Sequence, residues 1–266
     1  MKFKRTTYQL RRKMRRKIIP YLRRPLANLC MTPAFLILGA QKSGTTSLFY
    51  YLIQHPDIIS PVVPGELHYF DLRYALGPQW YLSNFPLSRK GKITGEKSPY
   101  YLYHPLVPER SFAFNSKFRL IILLRDPAKR AYSHFNMLVR HGVEQRKLHV
   151  AIEEEMDRVE SEHDRLARGE IDVSVAHQRY SYLARSCYVE QLDRWTKFFP
   201  RNQIYLETSE RFSREPQTVC SEIFSFLNLP PATISTRKRY NAYVYSPLSE
   251  TDQKWLAQFF RQSNSR

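Results

Sequence analysis

Residues 35–47 read Phe35-Leu36-Ile37-Leu38-Gly39-Ala40-Gln41-Lys42-Ser43-Gly44-Thr45-Thr46-Ser47, and this stretch decides the fold. Four large apolar residues without polar alternation suit a strand covered on both faces, as in a parallel sheet. The polar loop after Gly39 leads into a helix predicted from about Gly44 to His55 and stopped by Pro56. Backbone N–H groups then converge at the positive end of a helix dipole, which makes the loop an anion site. A Walker A loop places lysine directly after its second glycine; here Thr45 follows Gly44, and Lys42 stands two residues before that glycine. The loop keeps a phosphate cradle but takes its cation from a different place.

Further along, Leu120-Ile121-Ile122-Leu123-Leu124 is a second continuous apolar run that ends abruptly in Arg125-Asp126-Pro127 and enters another predicted helix. Arg125 stands where a Walker B pattern has a magnesium-binding aspartate, so a metal-dependent nucleotidase is disfavoured and no metal site is expected. A third strand is predicted at 203–207, with helical patterns over 149–168, 178–198, 216–227 and 249–262. Without internal repeats or a glycine-rich linker, the expected architecture is α/β, a central parallel sheet flanked by helices. One domain over 31–266 is expected behind a basic tail, 1–30.

The chain has 266 residues with a hydrophobic content of 42% and an aromatic content of 14%, enough for a substantial core and against disorder over most of its length. Its net charge of +18 is unevenly placed: residues 1–24 carry eleven Lys/Arg, and no acidic residue precedes Asp57. The remainder keeps about +7, an excess that still favours anionic ligands. Leu10, Met14, Ile18 and Leu22 recur every four residues in the tail until Pro20 interrupts, a basic amphipathic pattern that suits either an anionic membrane surface or a solvated leader. No nucleic-acid-binding motif accompanies the charge. The apolar run at 34–40 is too short to cross a bilayer, so neither a signal peptide nor a transmembrane segment is expected, and the placement read from this is cytoplasmic, at most membrane-peripheral. Cys30, Cys187 and Cys220 are too few and too dispersed for a disulfide framework and read as buried small hydrophobes.

The loop Gln41-Lys42-Ser43-Gly44-Thr45-Thr46-Ser47-Leu48, set after a hydrophobic strand, resembles the 5'-phosphosulfate loop of sulfotransferases that use PAPS (3'-phosphoadenosine 5'-phosphosulfate). Arg125-Asp126-Pro127 with Arg130-Ala131-Tyr132-Ser133-His134-Phe135 resembles that family's 3'-phosphate site, in which the strand-end arginine and the helix serine grip the phosphate that marks the donor. The resemblance covers about residues 34–230 and implies a P-loop-like donor-binding fold with PAPS as co-substrate and PAP as product. Its donor site would comprise Lys42, Ser43, Gly44, Thr45, Thr46, Ser47, Arg125 and Ser133. Sulfuryl transfer needs an in-line nucleophile and a neutralised leaving group, so positioning and electrostatics should dominate, and Lys42 fits the leaving-group role.

The acceptor's proton needs a base, and Glu66-Leu67-His68-Tyr69-Phe70-Asp71 offers Glu66 and His68 two residues apart, on one face if extended. The segment resembles the E-x-H-[FY]-F-D stretch of the heparan sulfate branch, whose glutamate is the base. That implies Glu66 as base with His68 and Asp71 in support, while a structural role for His68 stays open. Gly95-Glu96-Lys97-Ser98-Pro99-Tyr100-Tyr101 resembles the same branch's E-K-[ST]-P-x-Y stretch, placing Lys97, Ser98 and Asp71 towards the acceptor. Without the resemblance it reads as a turn ahead of an aromatic core segment. Tyr182, Arg185, Ser186 and Tyr188 fall where relatives place residues near nucleotide or acceptor, although the residues alone support only a helix with a buried tyrosine face. The basic segment Arg237-Lys238-Arg239-Tyr240-Asn241 lacks the glycine of the family's closing loop, which puts closure over the donor in doubt. The implied activity is sulfuryl transfer from PAPS to a hydroxyl or amino group of a carbohydrate. Phenolic or tyrosine acceptors, and a catalytically idle polyanion-binding protein, are the rivals.

Overall fold

A computed structural model of the chain describes residues 18–238, 240, 243 and 245–263. Most of the basic tail, residues 1–17, and Arg239 and Asn241 of the C-terminal basic segment lie outside the described residues. Four strands, β1 (Phe35–Gly39), β2 (Gly95–Lys97), β3 (Arg119–Leu124) and β4 (Ile204–Thr208), form one parallel sheet in the order β2-β1-β3-β4. The helices that matter for the site are α1 (Thr45–Leu52), α2 (Pro127–Arg140), α3 (Leu148–Ala167), α4 (Tyr188–Thr196), α5 (Pro216–Phe226) and α6 (Glu250–Ser263).

The two uninterrupted apolar runs are central strands because each feeds two cores at once. Leu36, Leu38, Leu120 and Ile122 face a layer with Tyr69, Phe70, Tyr81, Tyr101 and Trp195. Phe35, Ile37, Ile121 and Leu123 face the opposite layer with α1 and α5, through Leu48, Leu52, Val219 and Ile223. Side chains alternate along a strand, so covering both faces requires every position to be apolar.

β2 was not foreseen as a strand. It is only three residues long, and its Gly95 lies under Phe35, where an added Cβ would come within 2.6 Å of the ring. α1 ends at Leu52, earlier than predicted, because Pro56 disfavours a helical His55 and that buried ring instead contacts the Pro230 carbonyl at 2.9 Å and accepts from Asp57 N–H at 3.0 Å. The pattern over 178–198 is likewise not one helix but Val175–Arg179, a 3-10 turn at Ala184–Ser186 and α4. Its backbone partners are taken from outside. The buried Glu155 carboxylate on α3 accepts from Leu183 N–H (2.8 Å) and Ala184 N–H (2.9 Å), and the buried Arg130 side chain donates to the Tyr182 carbonyl. An i to i−4 ladder cannot run through groups already engaged.

Of the cysteines, Cys30 and Cys220 are buried as expected, whereas Cys187 is half-buried. The end of the stretch read as tail is seated on the domain: Arg23 donates to the carbonyls of Ser83 (3.1 Å) and Phe85 (2.8 Å), and the Leu29 carbonyl accepts from Ser88 N–H (2.9 Å). Among the described residues no helix is long and apolar enough to cross a membrane.

Candidate active site

β1 delivers the chain into the phosphate loop at Gly39, where φ is +154° and an added Cβ would meet Leu102 Cβ at 2.9 Å and the Pro99 carbonyl at 3.0 Å, so no side chain fits. Lys42 and Gly44 both have positive φ, 76° and 93°, and together they turn the loop into α1. The first intrahelical bond is Leu48 N–H to the Gly44 carbonyl, so the positive end of the α1 dipole is set against the loop, a favourable place for an anion. Lys42 makes no ion pair among the described residues. Burial, then Arg140, Arg125 and Arg130, lower its pKa to about 8. The Ser43 hydroxyl is buried without a hydrogen-bond partner among the described residues. A cation crowded by cations and an orphaned hydroxyl beside it are what a phosphate or sulfate group would satisfy.

β3 is followed directly by Arg125, whose guanidinium donates to the Lys42 carbonyl at 3.0 Å and so joins the two motifs. Asp126 caps α2 by accepting from Lys129 N–H at 2.8 Å, with Pro127 in the first turn. One face of α2 then presents Lys129, Ser133, Asn136 and Arg140 to a cleft of about 1000 Å³ whose walls also include Gln41–Ser47, Arg125 and Glu66. Donor-site candidates Lys42, Ser43, Gly44, Thr45, Thr46, Ser47, Arg125 and Ser133 thus share one cavity with the candidate base. Ser47 is also engaged elsewhere: its hydroxyl accepts from Tyr240 N–H at 3.0 Å.

Glu66 lines the same cleft as the phosphate loop, with 34% of its side chain exposed. Lys97 Nζ sits 2.8 Å from Oε1, and His68 Nε2 3.2 Å from Oε2. Burial alone would raise the Glu66 pKa, but His68 and Lys97 outweigh it and hold the carboxyl far below the usual range. The other His68 nitrogen, Nδ1, is 2.8 Å from Asp71 Oδ2. Between two carboxylates, and against the opposing effect of burial, the imidazole pKa rises to about 10. His68 is therefore an imidazolium at neutral pH, a donor to Glu66 rather than a proton acceptor.

Asp71 and Ser98, expected towards the acceptor, are buried behind His68. Asp71 is spent on His68 and on Leu72 N–H (2.7 Å), and Ser98 Oγ accepts from His68 N–H at 3.1 Å. Lys97 is also buried, with its ammonium on Glu66. All three contact the Glu66 and His68 pair, and none of them lines the cleft.

Tyr182, Arg185, Ser186 and Tyr188 are buried and none lines the cleft. They brace it: Arg185 donates to Gln41 Oε1 at 2.7 Å, Tyr188 Oη to the Arg125 carbonyl at 2.9 Å, Ser186 Oγ to the Pro127 carbonyl at 3.0 Å, and Tyr182 Oη to Glu144 at 2.8 Å. Despite its missing glycine, the C-terminal basic segment does reach the site. Tyr240 stacks on Tyr50 at 4.4 Å, the carbonyls of Thr236 and Lys238 accept from Tyr51 Oη, and Tyr240 and Tyr243 line the cleft. Lys129, Asn136 and Arg140 were missed, although with Ser133 they fall four, three and four residues apart, a polar stripe on one helix face. The Arg140 guanidinium rests over the Tyr243 ring, 3.3 Å from its centroid.

The parallel sheet thus brings a strand-end polar loop, a second cationic strand end beside it and a carboxylate to the lining of one cleft. The chain belongs to the sulfotransferase domain family, which it matches over residues 32–262. It is 32% identical over 215 residues to mouse heparan sulfate glucosamine 3-O-sulfotransferase 5, covering 79% of this chain and 56% of that protein. It is 28% identical to the membrane-associated sulfotransferase kil1 of Dictyostelium discoideum, covering 90% and 64%. The chain therefore spans less than two thirds of the length of these curated relatives. Among solved structures, a sulfotransferase from Alicyclobacillus acidocaldarius superposes with a TM-score of 0.72 at 26% identity, covering 87% of this chain and 92% of that one.

Proposed function

We propose that the protein transfers a sulfuryl group from PAPS to a hydroxyl or amino group of a carbohydrate. The observation that carries this reading is that Lys42, Arg125, Ser133 and Glu66 line one cleft. The residues fit the donor: Lys42 and the loop through Ser47 would hold the 5'-phosphosulfate, and Arg125 and Ser133 the 3'-phosphate. When bound, PAPS supplies the activated sulfuryl group and a phosphate leaving group. Lys42, poised near pKa 8, donates to the charge that grows on the departing oxygen. Glu66 stays ionised at working pH. It accepts the acceptor's hydrogen bond and takes the proton as bond formation acidifies the hydroxyl, while Lys97 and His68 hold it in place.

The charge state of His68 favours Glu66 over a histidine base, and with it the carbohydrate reading over a phenolic one. The name of the mouse relative, a glucosamine 3-O-sulfotransferase, supports the same acceptor class. The basic tail and the exposed Ile18, Tyr21, Leu22, Leu26 and Leu29 support a peripheral attachment to an anionic membrane surface, with a cytoplasmic placement as part of the same proposal. The test is transfer of labelled sulfate from PAPS to glucosamine-containing oligosaccharides, a tyrosine peptide and a simple phenol. Label on the sugar alone is expected; label confined to the phenol or the peptide would overturn the acceptor class, and no label on any would overturn the activity.

A further inference from the structure

Beneath the loop that carries Glu66 lies a carboxylate that the proposed chemistry does not use. Glu96, in β2, is 1% exposed. Three hydroxyls donate to it: Tyr81 Oη (2.8 Å) and Tyr101 Oη (2.9 Å) to Oε1, and Ser98 Oγ (3.0 Å) to Oε2. Burial raises its pKa, and these three bonds act against that rise.

Two of the hydroxyls then accept from backbone. Ser98 Oγ takes His68 N–H at 3.1 Å, and Tyr101 Oη takes Tyr69 N–H at 2.8 Å and Phe70 N–H at 3.3 Å. These are three consecutive N–H groups at the start of the short helix Tyr69–Leu72, which has no side-chain cap from its own N-cap residue. A hydroxyl has one proton, so giving it to Glu96 leaves its lone pairs to face the backbone donors. His68 needs this support. Its φ of 53° and ψ of 43° lie in the left-handed region, which residues bearing a Cβ rarely occupy. It is from this conformation that the ring spans Glu66 and Asp71.

We propose that Glu96 is a positioning residue for the proposed base: it orients Ser98 and Tyr101 so that their hydroxyls cap residues 68–70 and hold His68 between Glu66 and Asp71. The proposal rests on the reading of Glu66 as base, but its geometric half can be read without any turnover.

The perturbation is Glu96→Gln, which keeps the volume but puts a donor where an acceptor stood, alongside Ser98→Ala and Tyr101→Phe, which remove the relaying hydroxyls and keep the carboxylate. The measurements are kcat and KM, calorimetric PAP affinity, and NMR titration of the His68 imidazole, assigned with His68→Gln. Glu96→Gln should lower kcat by about ten- to a hundredfold, the scale of a misplaced catalytic group, with PAP affinity within about twofold of the parent. The His68 midpoint should fall from about 10 towards its ordinary 6.5. Adding Ser98→Ala should cost little more, because both variants break one chain of contacts. A folded Glu96→Gln protein with parent-like kcat and His68 midpoint would overturn the proposal. So would a loss of PAP affinity in proportion to kcat, or full additivity with Ser98→Ala. If Glu96→Gln does not fold, Ser98→Ala and Tyr101→Phe carry the same readouts, and parent-like values in both overturn it. If the parent transfers no sulfate at all, the proposed function fails while the His68 midpoints still decide the positioning.

Discussion

Raising the pH from 7 to 9 should cut kcat/KM for the donor about tenfold, since a lysine with a pKa near 8 passes from about 90% to about 10% protonated over that interval. The sign follows from the role. Lys42 must carry its proton to steady the departing phosphate, so activity is present below its pKa and is lost as the pH rises through it. An ordinary lysine would stay charged across the whole interval and give no such limb. The profile of kcat/KM reports the free enzyme, whereas kcat reports the donor complex, where added negative charge raises the lysine's pKa. The kcat limb should therefore lie at higher pH. Two variants assign the limb: Lys42→Arg should abolish it, because a guanidinium stays charged, and Arg140→Gln should shift it upward by removing the cation that ranks next after burial in depressing Lys42. Initial rates from pH 6 to 10, with circular dichroism at each pH, suffice. A flat profile, or one unchanged in both variants, would refute the assignment.

Ser133→Ala and Arg125→Ala should weaken PAP far more than a nucleotide lacking the 3'-phosphate, as measured by calorimetry; Arg125→Ala should also loosen the phosphate loop, because Arg125 holds the Lys42 carbonyl. Glu66→Gln keeps size and most hydrogen bonding but cannot take a proton, so turnover should fall about 10²–10⁴-fold with PAP affinity and Tm near those of the parent. A dead His68→Ala enzyme beside a near-normal Glu66→Gln enzyme would move the base to His68. Activity should survive excess EDTA, and a strict magnesium requirement would revive a metal-dependent mechanism.

The sheet was legible because β1 and β3 are buried on both faces and advertise it as unbroken apolar runs. The strand-turn-helix at 35–52 was legible because the apolar run ends at a glycine and a second glycine, Gly44, stands where the helix begins. β2 was not, since three residues, two of them charged, carry no period, and Glu96 and Lys97 are buried only because specific partners await them. The break at 182–186 was equally hidden: a carboxylate 28 residues earlier, Glu155, takes the backbone groups that a local helix would use. Asp71 and Ser98 were assigned to the right neighbourhood but the wrong layer, because sequence proximity to Glu66 and Lys97 does not say which side chains face the cleft. The α2 stripe could have been read from spacing alone, had Ser133 been extended in steps of three and four.

Local rules fail together around this cleft, and the pattern of failure is itself an argument for function. Lys42 and His68 hold positive φ, the Ser43 hydroxyl is buried without a partner among the described residues, and Lys42 is crowded by three arginines with no ion pair there. Each is unfavourable taken alone, and the two apolar layers on either side of the sheet offset them. His68 is compensated inside the fold, by Asp71, Glu66 and the capped turn. Nothing among the described residues compensates Ser43 and Lys42 in that way. An orphaned donor and an uncompensated cation sharing one wall are relieved together by one kind of species, an anion rich in acceptor oxygens, and this points to the donor side of the cleft without reference to any relative.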